Sequence, residues 1–284
     1  MSSARHCCIC RLDATPADEV HVGSNVRPLA DTDYALWRCA GCGSIHARDK
    51  VDLEAAYAVY PFFRQKMDWT LRSYCRGLLQ RLRRIGTTPN HTILDYGCGS
   101  GLLVGFLQRK GYRAVGYDPY SSTHNDPAVL ETQFDLVLAQ DVVEHDPDPL
   151  DALSRIAELA RPGGQVVIGT PNASGIDLSR PRQFRHPLHQ PYHRHIFSVE
   201  ALRESCRALG LIERRYWPTP YTNIPGLSLP MLHHYMDHYD GTLDVLFDRP
   251  DSAGLWRDPK TWWLLAAGYF LCDDADIMLA CRKA

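Results

Sequence analysis

The stretch 92–104, TILDYGCGSGLLV, limits the possible folds more than any other part of the chain. An apolar, β-branched run meets an acid, then three glycines at alternate positions, then a helical pattern. Gly97, Gly99 and Gly101 can take positive φ and let a ligand approach the backbone closely. The helix they open offers free N–H groups to an anionic part of that ligand. Apolar strand-like runs follow at 113–118, 134–139, 165–170, 212–217 and 276–282, separated by helical patterns at 100–110, 150–160 and 198–209. Such alternation predicts an α/β fold, a Rossmann-like doubly wound and mainly parallel sheet, here expected to have seven strands. Asp118 ends the second strand about twenty residues past the loop, where an acid accepts both hydroxyls of a ribose.

The glycines run Gly-x-Gly-x-Gly behind Asp95, not Gly-x-Gly-x-x-Gly. No pyrophosphate cradle is implied, whereas an acid at the loop suits a cationic sulfonium amino acid. Together with VGYDPY, FDLVLAQDVVEH, LARPGG and VVIGTPN, this makes residues 90–284 resemble the class I S-adenosylmethionine-dependent methyltransferases. The resemblance implies that Asp95, Gly97, Cys98, Gly99 and Gly101 line the methionine portion and that Asp118 holds the ribose. It also implies that Pro119 and Tyr120 lie near adenine, and that Gln140 and Asp141 flank the ligand. Only fifteen residues separate Asp118 from Phe134, so the usual helix and strand between them are abbreviated. Asp126 is the expected adenine reader there.

Residues 140–149, QDVVEHDPDP, resemble the Glu-x-x-Glu-His segment of the coenzyme Q biosynthetic O-methyltransferases. That resemblance implies a divalent cation on Asp141, Glu144 and His145, with Asp replacing the first Glu, and an oxygen acceptor. The residues themselves also allow two plainer readings. His145 can act as a metal-free general base, since an unperturbed imidazole titrates near neutrality, or the segment can simply cap the next helix. The loop RHPLHQPYHRHIF brings His186, His189, His193 and His195 over the substrate side. His193 and His195 share a face if that stretch is extended, and both join His145 as candidate catalytic groups.

Cys7-Cys-Ile-Cys10 and Cys39-Ala-Gly-Cys42 are two Cys-x-x-Cys knuckles. Four thiolates at this spacing complete a tetrahedral structural zinc site on Cys7, Cys10, Cys39 and Cys42 and leave no open position for catalysis. Cys8, His6 and His46 are spare donors. The layout resembles bacterial methyltransferases with an N-terminal zinc ribbon, deoxysugar C-methyltransferases among them.

The expected organisation is a zinc-ribbon module at 1–50, a helical linker or lid at 51–90, and a methyltransferase domain at 91–284. Residues 218–274 would form a helical insertion capping the substrate. A formal net charge of −2 supplies no field for nucleic acid, which makes an RNA substrate a minor reading. No apolar run reaches membrane-spanning length and no signal pattern opens the chain, so a cytoplasmic protein is expected. The acceptor is expected to be a small organic molecule in a biosynthetic pathway, taking the methyl on oxygen; carbon or nitrogen is the alternative. A non-catalytic binding protein keeping the fold is the competing class. Nothing in the sequence argues for or against a homo-oligomer.

Overall fold

The computed structural model describes residues 5–14, 16, 18–248, 250–272 and 274–284. The chain begins with a short antiparallel pair, β1 (Arg5–His6) and β2 (Asp13–Ala14). Three antiparallel strands follow: β3 (Asp18–Gly23), β4 (Asp33–Arg38) and β5 (Ile45–Ala47). Asp52 caps α1 (Leu53–Ala58) by accepting the Ala55 N–H at 3.1 Å. Asp68 does the same for α2 (Trp69–Arg84) through the Leu71 N–H at 2.9 Å. One face of α2 buries Tyr74, Cys75, Leu78, Leu79 and Leu82, leaving its arginines largely to solvent.

The main sheet starts with β6 (Thr92–Tyr96), α3 (Leu102–Arg109), β7 (Arg113–Tyr117), β8 (Phe134–Gln140), α4 (Pro149–Leu159) and β9 (Ala160–Pro171). Then come α5 (Arg185–Leu188), β10 (His195–Ile196), α6 (Val199–Ala208) and β11 (Leu211–Trp217). Helices α7 (Leu229–His238), α8 (Val245–Asp248), α9 (Ala253–Arg257) and α10 (Pro259–Ala267) precede β12 (Asp276–Lys283). The sheet order is β11-β12-β9-β8-β6-β7. Pairings from β7 through β9 are parallel, and β12 runs antiparallel to both neighbours. Central strand β8 is buried on both faces, as its apolar run at 136–139 requires.

Two expectations need correction. The main sheet has six strands among the described residues, not seven. A parallel crossover alone consumes about a dozen residues, so residues 119–133 cannot hold a helix and an edge strand as well. They hold a single 3₁₀ turn, Pro127–Glu131, capped by Asp126. The N-terminal segment is also not self-contained. β10 pairs with β5, so the histidine loop supplies the fourth strand of the N-terminal sheet. Cys7, Ile9, Trp37 and Cys39 belong to the same core as Leu94, Val137, Leu153 and Ile168. Residues 218–274 lie against this segment: Val26 packs with Met236 and Leu243, and Arg27 pairs with Asp240 and Asp248. Among the described residues no helix is long and apolar enough to cross a membrane.

Candidate functional site

The glycine loop hangs on the end of β7. The N–H groups of Gly97 and Cys98 both donate to the Tyr117 carbonyl, at 2.7 and 3.2 Å. Gly97, Gly99 and Gly101 take φ of +80°, +53° and +72°, a region that side chains avoid. A methyl on Gly97 would collide with Val142, and one on Gly101 with the His124 ring. At Gly99 it would meet nothing within 4 Å, so this residue fronts open space. Asp118 stands across the mouth. Its Oδ2 accepts the Gly99 N–H at 2.9 Å and its Oδ1 the Tyr120 N–H at 2.8 Å, which leaves each oxygen a further lone pair.

Two more acids lie close by. Asp95 is 4 % exposed, and its burial, with Asp118 beside it, raises the carboxyl to about 7. Asp141 leaves β8 at φ +55° and donates its N–H to the Gly169 carbonyl at 2.9 Å. It keeps accessible surface, yet the protein crowded around it raises its carboxyl to about 6. Among the described residues no cationic side chain offsets either shift. An acidic cradle without a cation fits a ligand that carries both a sulfonium and an ammonium.

The other residues expected here divide. Pro119 and Tyr120 are exposed at the rim, and Tyr120 stacks on Tyr57 at 5.0 Å and 19°. Gln140 folds back over Gly169 and donates to the Ala139 carbonyl at 3.2 Å. Cys98 turns its sulfur away from the cleft, onto Gly116 and Val104, and burial raises the thiol to about 12. Only its backbone lines the loop. Asp126 spends its carboxylate on the Ala128 N–H at 3.0 Å, as a cap.

Beyond Asp141 the side chains converge differently from the expected triad. Donor atoms of Glu144, His145 and His193 lie within 4.8 Å of one another, and Asp141 is not among them. The positive φ of Asp141 turns it out of line with Glu144, and His193 arrives from the loop instead. Glu144 is fully buried; Thr170 donates to its Oε2 at 3.0 Å, while Oε1 has no partner. His193 Nε2 faces that oxygen at 3.9 Å, and its Nδ1 donates to the Pro187 carbonyl at 2.7 Å. The Nε2 lone pair therefore points to the centre of the cluster. His145 Nδ1 bonds the Tyr57 hydroxyl at 3.0 Å. Burial raises the Glu144 carboxyl well above its usual range, lowers His145 well below its own, and lowers His193 to about 4.

His195 does not belong to this group. Residues 193 and 194 lie before β10, outside any strand, and both the Arg194 and His195 N–H groups donate to the Glu144 carbonyl. The His195 ring turns to His46 instead, Nδ1 to Nδ1 at 3.0 Å. The cluster is walled by Tyr57, Tyr60 and Tyr192, with rings 4.6–5.5 Å apart. His189 stacks on Tyr192 and bonds Asn25 at 2.6 Å. Phe63 lies at the edge of this wall and is 56 % exposed. Thr170, Tyr192, Asn25 and Tyr221, the last near Asp95 and Asp141, were not legible as site residues. Thr170 alone had a signal, because it ends a strand at the same sheet edge as Gln140.

The four knuckle cysteines lie together, with Cys7–Cys42 and Cys10–Cys39 sulfurs 3.7 and 3.6 Å apart. A zinc ion with bonds of about 2.3 Å sets tetrahedral S···S edges near 3.8 Å, so the donor set fits that ion. The two knuckles repeat one backbone pattern. Arg11 and Gly43 N–H groups donate back to the Cys7 and Cys39 carbonyls, at 2.8 and 2.9 Å, and both residues sit at positive φ.

Comparison with known proteins accords with this architecture. The family model described as a methyltransferase domain matches residues 67–212, just over half of the chain. A ubiquinone biosynthesis O-methyltransferase of Bradyrhizobium diazoefficiens is 33% identical over 118 residues, 34% of this chain and 47% of that protein. The homologous protein of Aeromonas salmonicida is 33% identical over 102 residues, 28% of this chain and 43% of that one. The chain thus spans about half the length of the curated relatives it matches. Among solved structures, a Burkholderia thailandensis 1,6-didemethyltoxoflavin-N1-methyltransferase superposes with TM-score 0.47 at 16% identity, over 88% of this chain and 96% of that chain.

Proposed function

The chain belongs to the methyltransferase-domain family, of the class I S-adenosylmethionine-dependent kind, and from that premise we propose that it transfers a methyl group to a hydroxyl oxygen of a small organic acceptor. The observation that carries the proposal is the acidic, cation-free cradle at the open glycine loop, set beside the aromatic-walled Glu144–His145–His193 cluster. S-adenosylmethionine supplies an electrophilic methyl on a sulfonium, open to in-line displacement. Asp118 takes the ribose hydroxyls, the N–H groups opening α3 face the carboxylate, and Asp95 and Asp141 balance the positive charge. Tyr57 stacks on Tyr120 and closes the rim over adenine.

The acceptor lies among Tyr57, Tyr60 and Tyr192, whose rings suit a ring-bearing molecule. His145 and His193 are both neutral at neutral pH and hold protons weakly. Imidazoles of that kind serve better as lone-pair donors to a cation than as proton traps. Glu144, with its unpartnered buried oxygen, and these two histidines would hold a divalent cation, which lowers the pKa of an acceptor hydroxyl when bound. The ubiquinone-type relatives, named as O-methyltransferases, support oxygen as the acceptor atom. The cysteine set would hold zinc and brace the fold.

Titrating the protein with S-adenosylmethionine tests the reading. Saturable one-to-one binding, lost in a folded Asp118→Asn variant, supports it; no binding by the folded wild type overturns it. Products from a 1,2-dihydroxybenzene probe then report the acceptor atom. An O-methyl product supports the proposal and a C-methyl product contradicts it.

A further inference from the structure

A second cluster of donors stands beside the four knuckle cysteines, separate from the Glu144–His145–His193 group. Cys8, His46 and His195 bring their donor atoms within 4.8 Å of one another. His46 on β5 and His195 on β10 are direct cross-strand partners, so the strand pairing itself sets their rings together. Their Nδ1 atoms are 3.0 Å apart, and Cys8 Sγ approaches the same His46 Nδ1 at 4.0 Å. His46 is 2 % exposed and lies against Trp37, ring to ring at 4.6 Å.

The outer sides of both rings are already engaged. His46 Nε2 lies 3.2 Å from the sulfur of Cys7. With zinc on Cys7 the ring would donate to that sulfur through Nε2 and leave Nδ1 free to ligate. The Pro147 carbonyl accepts from the His195 ring. With His195 Nδ1 turned to His46, that proton sits on Nε2, and Nδ1 is again a lone pair. Two ring nitrogens and a sulfur then face one another, an arrangement that a bound cation satisfies. Metal-bound histidines are oriented in this way, the far nitrogen donating to a carbonyl or anion.

We propose that Cys8, His46 and His195 form a second metal site, for zinc, next to the four-cysteine site. Tetrahedral zinc sets N···N near 3.3 Å and N···S near 3.6 Å, so both edges at His46, at 3.0 and 4.0 Å, lie within about 0.4 Å of that geometry, and the Cys8–His195 edge closes from within 4.8 Å. Three protein ligands leave the fourth position to water. The two sites are linked through His46, which ligates one ion and donates to a thiolate of the other. The second ion clasps the first knuckle, β5 and β10 together. His195 lies two residues past His193, and Pro147 two past His145, so the clasp also holds both segments that feed the cleft.

Zinc content of the purified protein tests this, measured in a Glu144→Gln background so that the cleft donors do not contribute. Two zinc ions per chain, falling to one in both Cys8→Ser and His195→Ala, is the expected result. One ion per chain, unchanged in either variant, overturns the proposal. Should either variant fail to fold, cobalt replacement in the intact chain decides. Thiolate-to-cobalt absorption that continues to grow between one and two equivalents supports a second, sulfur-containing site. Absorption that stops growing at one equivalent rules it out.

Discussion

The most informative perturbation is Asp95→Asn. Asp95 is 4 % exposed, its carboxyl stands at about 7, and Asp118 is its charged neighbour. A cationic ligand binds the ionised form, so binding releases a proton whenever the free site is protonated. Affinity for S-adenosylmethionine should therefore fall as pH drops through 7. With a free-site pKa of about 7, the loss approaches tenfold per pH unit and comes to about 25-fold between pH 7.5 and 5.5. Asparagine cannot titrate, so the variant should bind weakly and with a much flatter profile. The ligand's own amine titrates equally in both experiments and cancels in the comparison. Stability moves the other way. A carboxyl raised from 3.8 to about 7 makes the folded state bind more protons, so its contribution is present in acid and lost as pH rises through 7. Above pH 8 that cost reaches about 4 kcal/mol, and Asn at this site should unfold several degrees higher than the wild type. Calorimetric titration in two buffers of different ionisation enthalpy reads the proton release, and thermal unfolding reads the stability. A variant that keeps the wild-type pH slope, or a wild type with no slope, refutes the reasoning.

Three further outcomes follow from the same geometry. Gly97→Ala forces a methyl onto Val142 at φ +80° and should abolish S-adenosylmethionine binding in calorimetry while the far-ultraviolet spectrum stays native. Tyr57→Phe removes the hydroxyl on His145 but keeps the ring on Tyr120; kcat should fall by roughly ten- to a hundredfold, with donor affinity within about twofold. Cys39→Ser breaks the cysteine cluster inside the shared core and should remove its zinc. At about 2–4 °C per kcal/mol for a chain this size, a lowering of the single unfolding transition by roughly 6–10 °C is expected. A separate low-temperature transition for the N-terminal segment would contradict the shared core.

The parallel half of the fold was legible because its signals are local. Buried strands such as Phe134–Gln140 carry an apolar run, here 136–139, and the glycines of 97–101 announce a tight turn at positive φ. The cysteine knuckles were legible from spacing for the same reason. What escaped is non-local. No periodicity shows that the carbonyl of Glu144 would collect the N–H groups of Arg194 and His195. That contact defeats the alternation rule and sends His193 to the cleft and His195 to the N-terminal sheet. Asp141 still acts on Glu144 through its charge but stays outside the three-donor group, and its φ of +55° has no signal in the sequence. The shortness of 119–133 is visible in the sequence, and among the described residues the sheet ends at β7.

A crystal structure with S-adenosylhomocysteine bound tests the central claim most directly. The account predicts ribose hydroxyls on Asp118, the homocysteine against Gly97, Gly99 and Gly101, and the sulfur facing the space between Tyr57, His145 and His193. A ligand seated elsewhere, or with its sulfur turned away from that cluster, would contradict it.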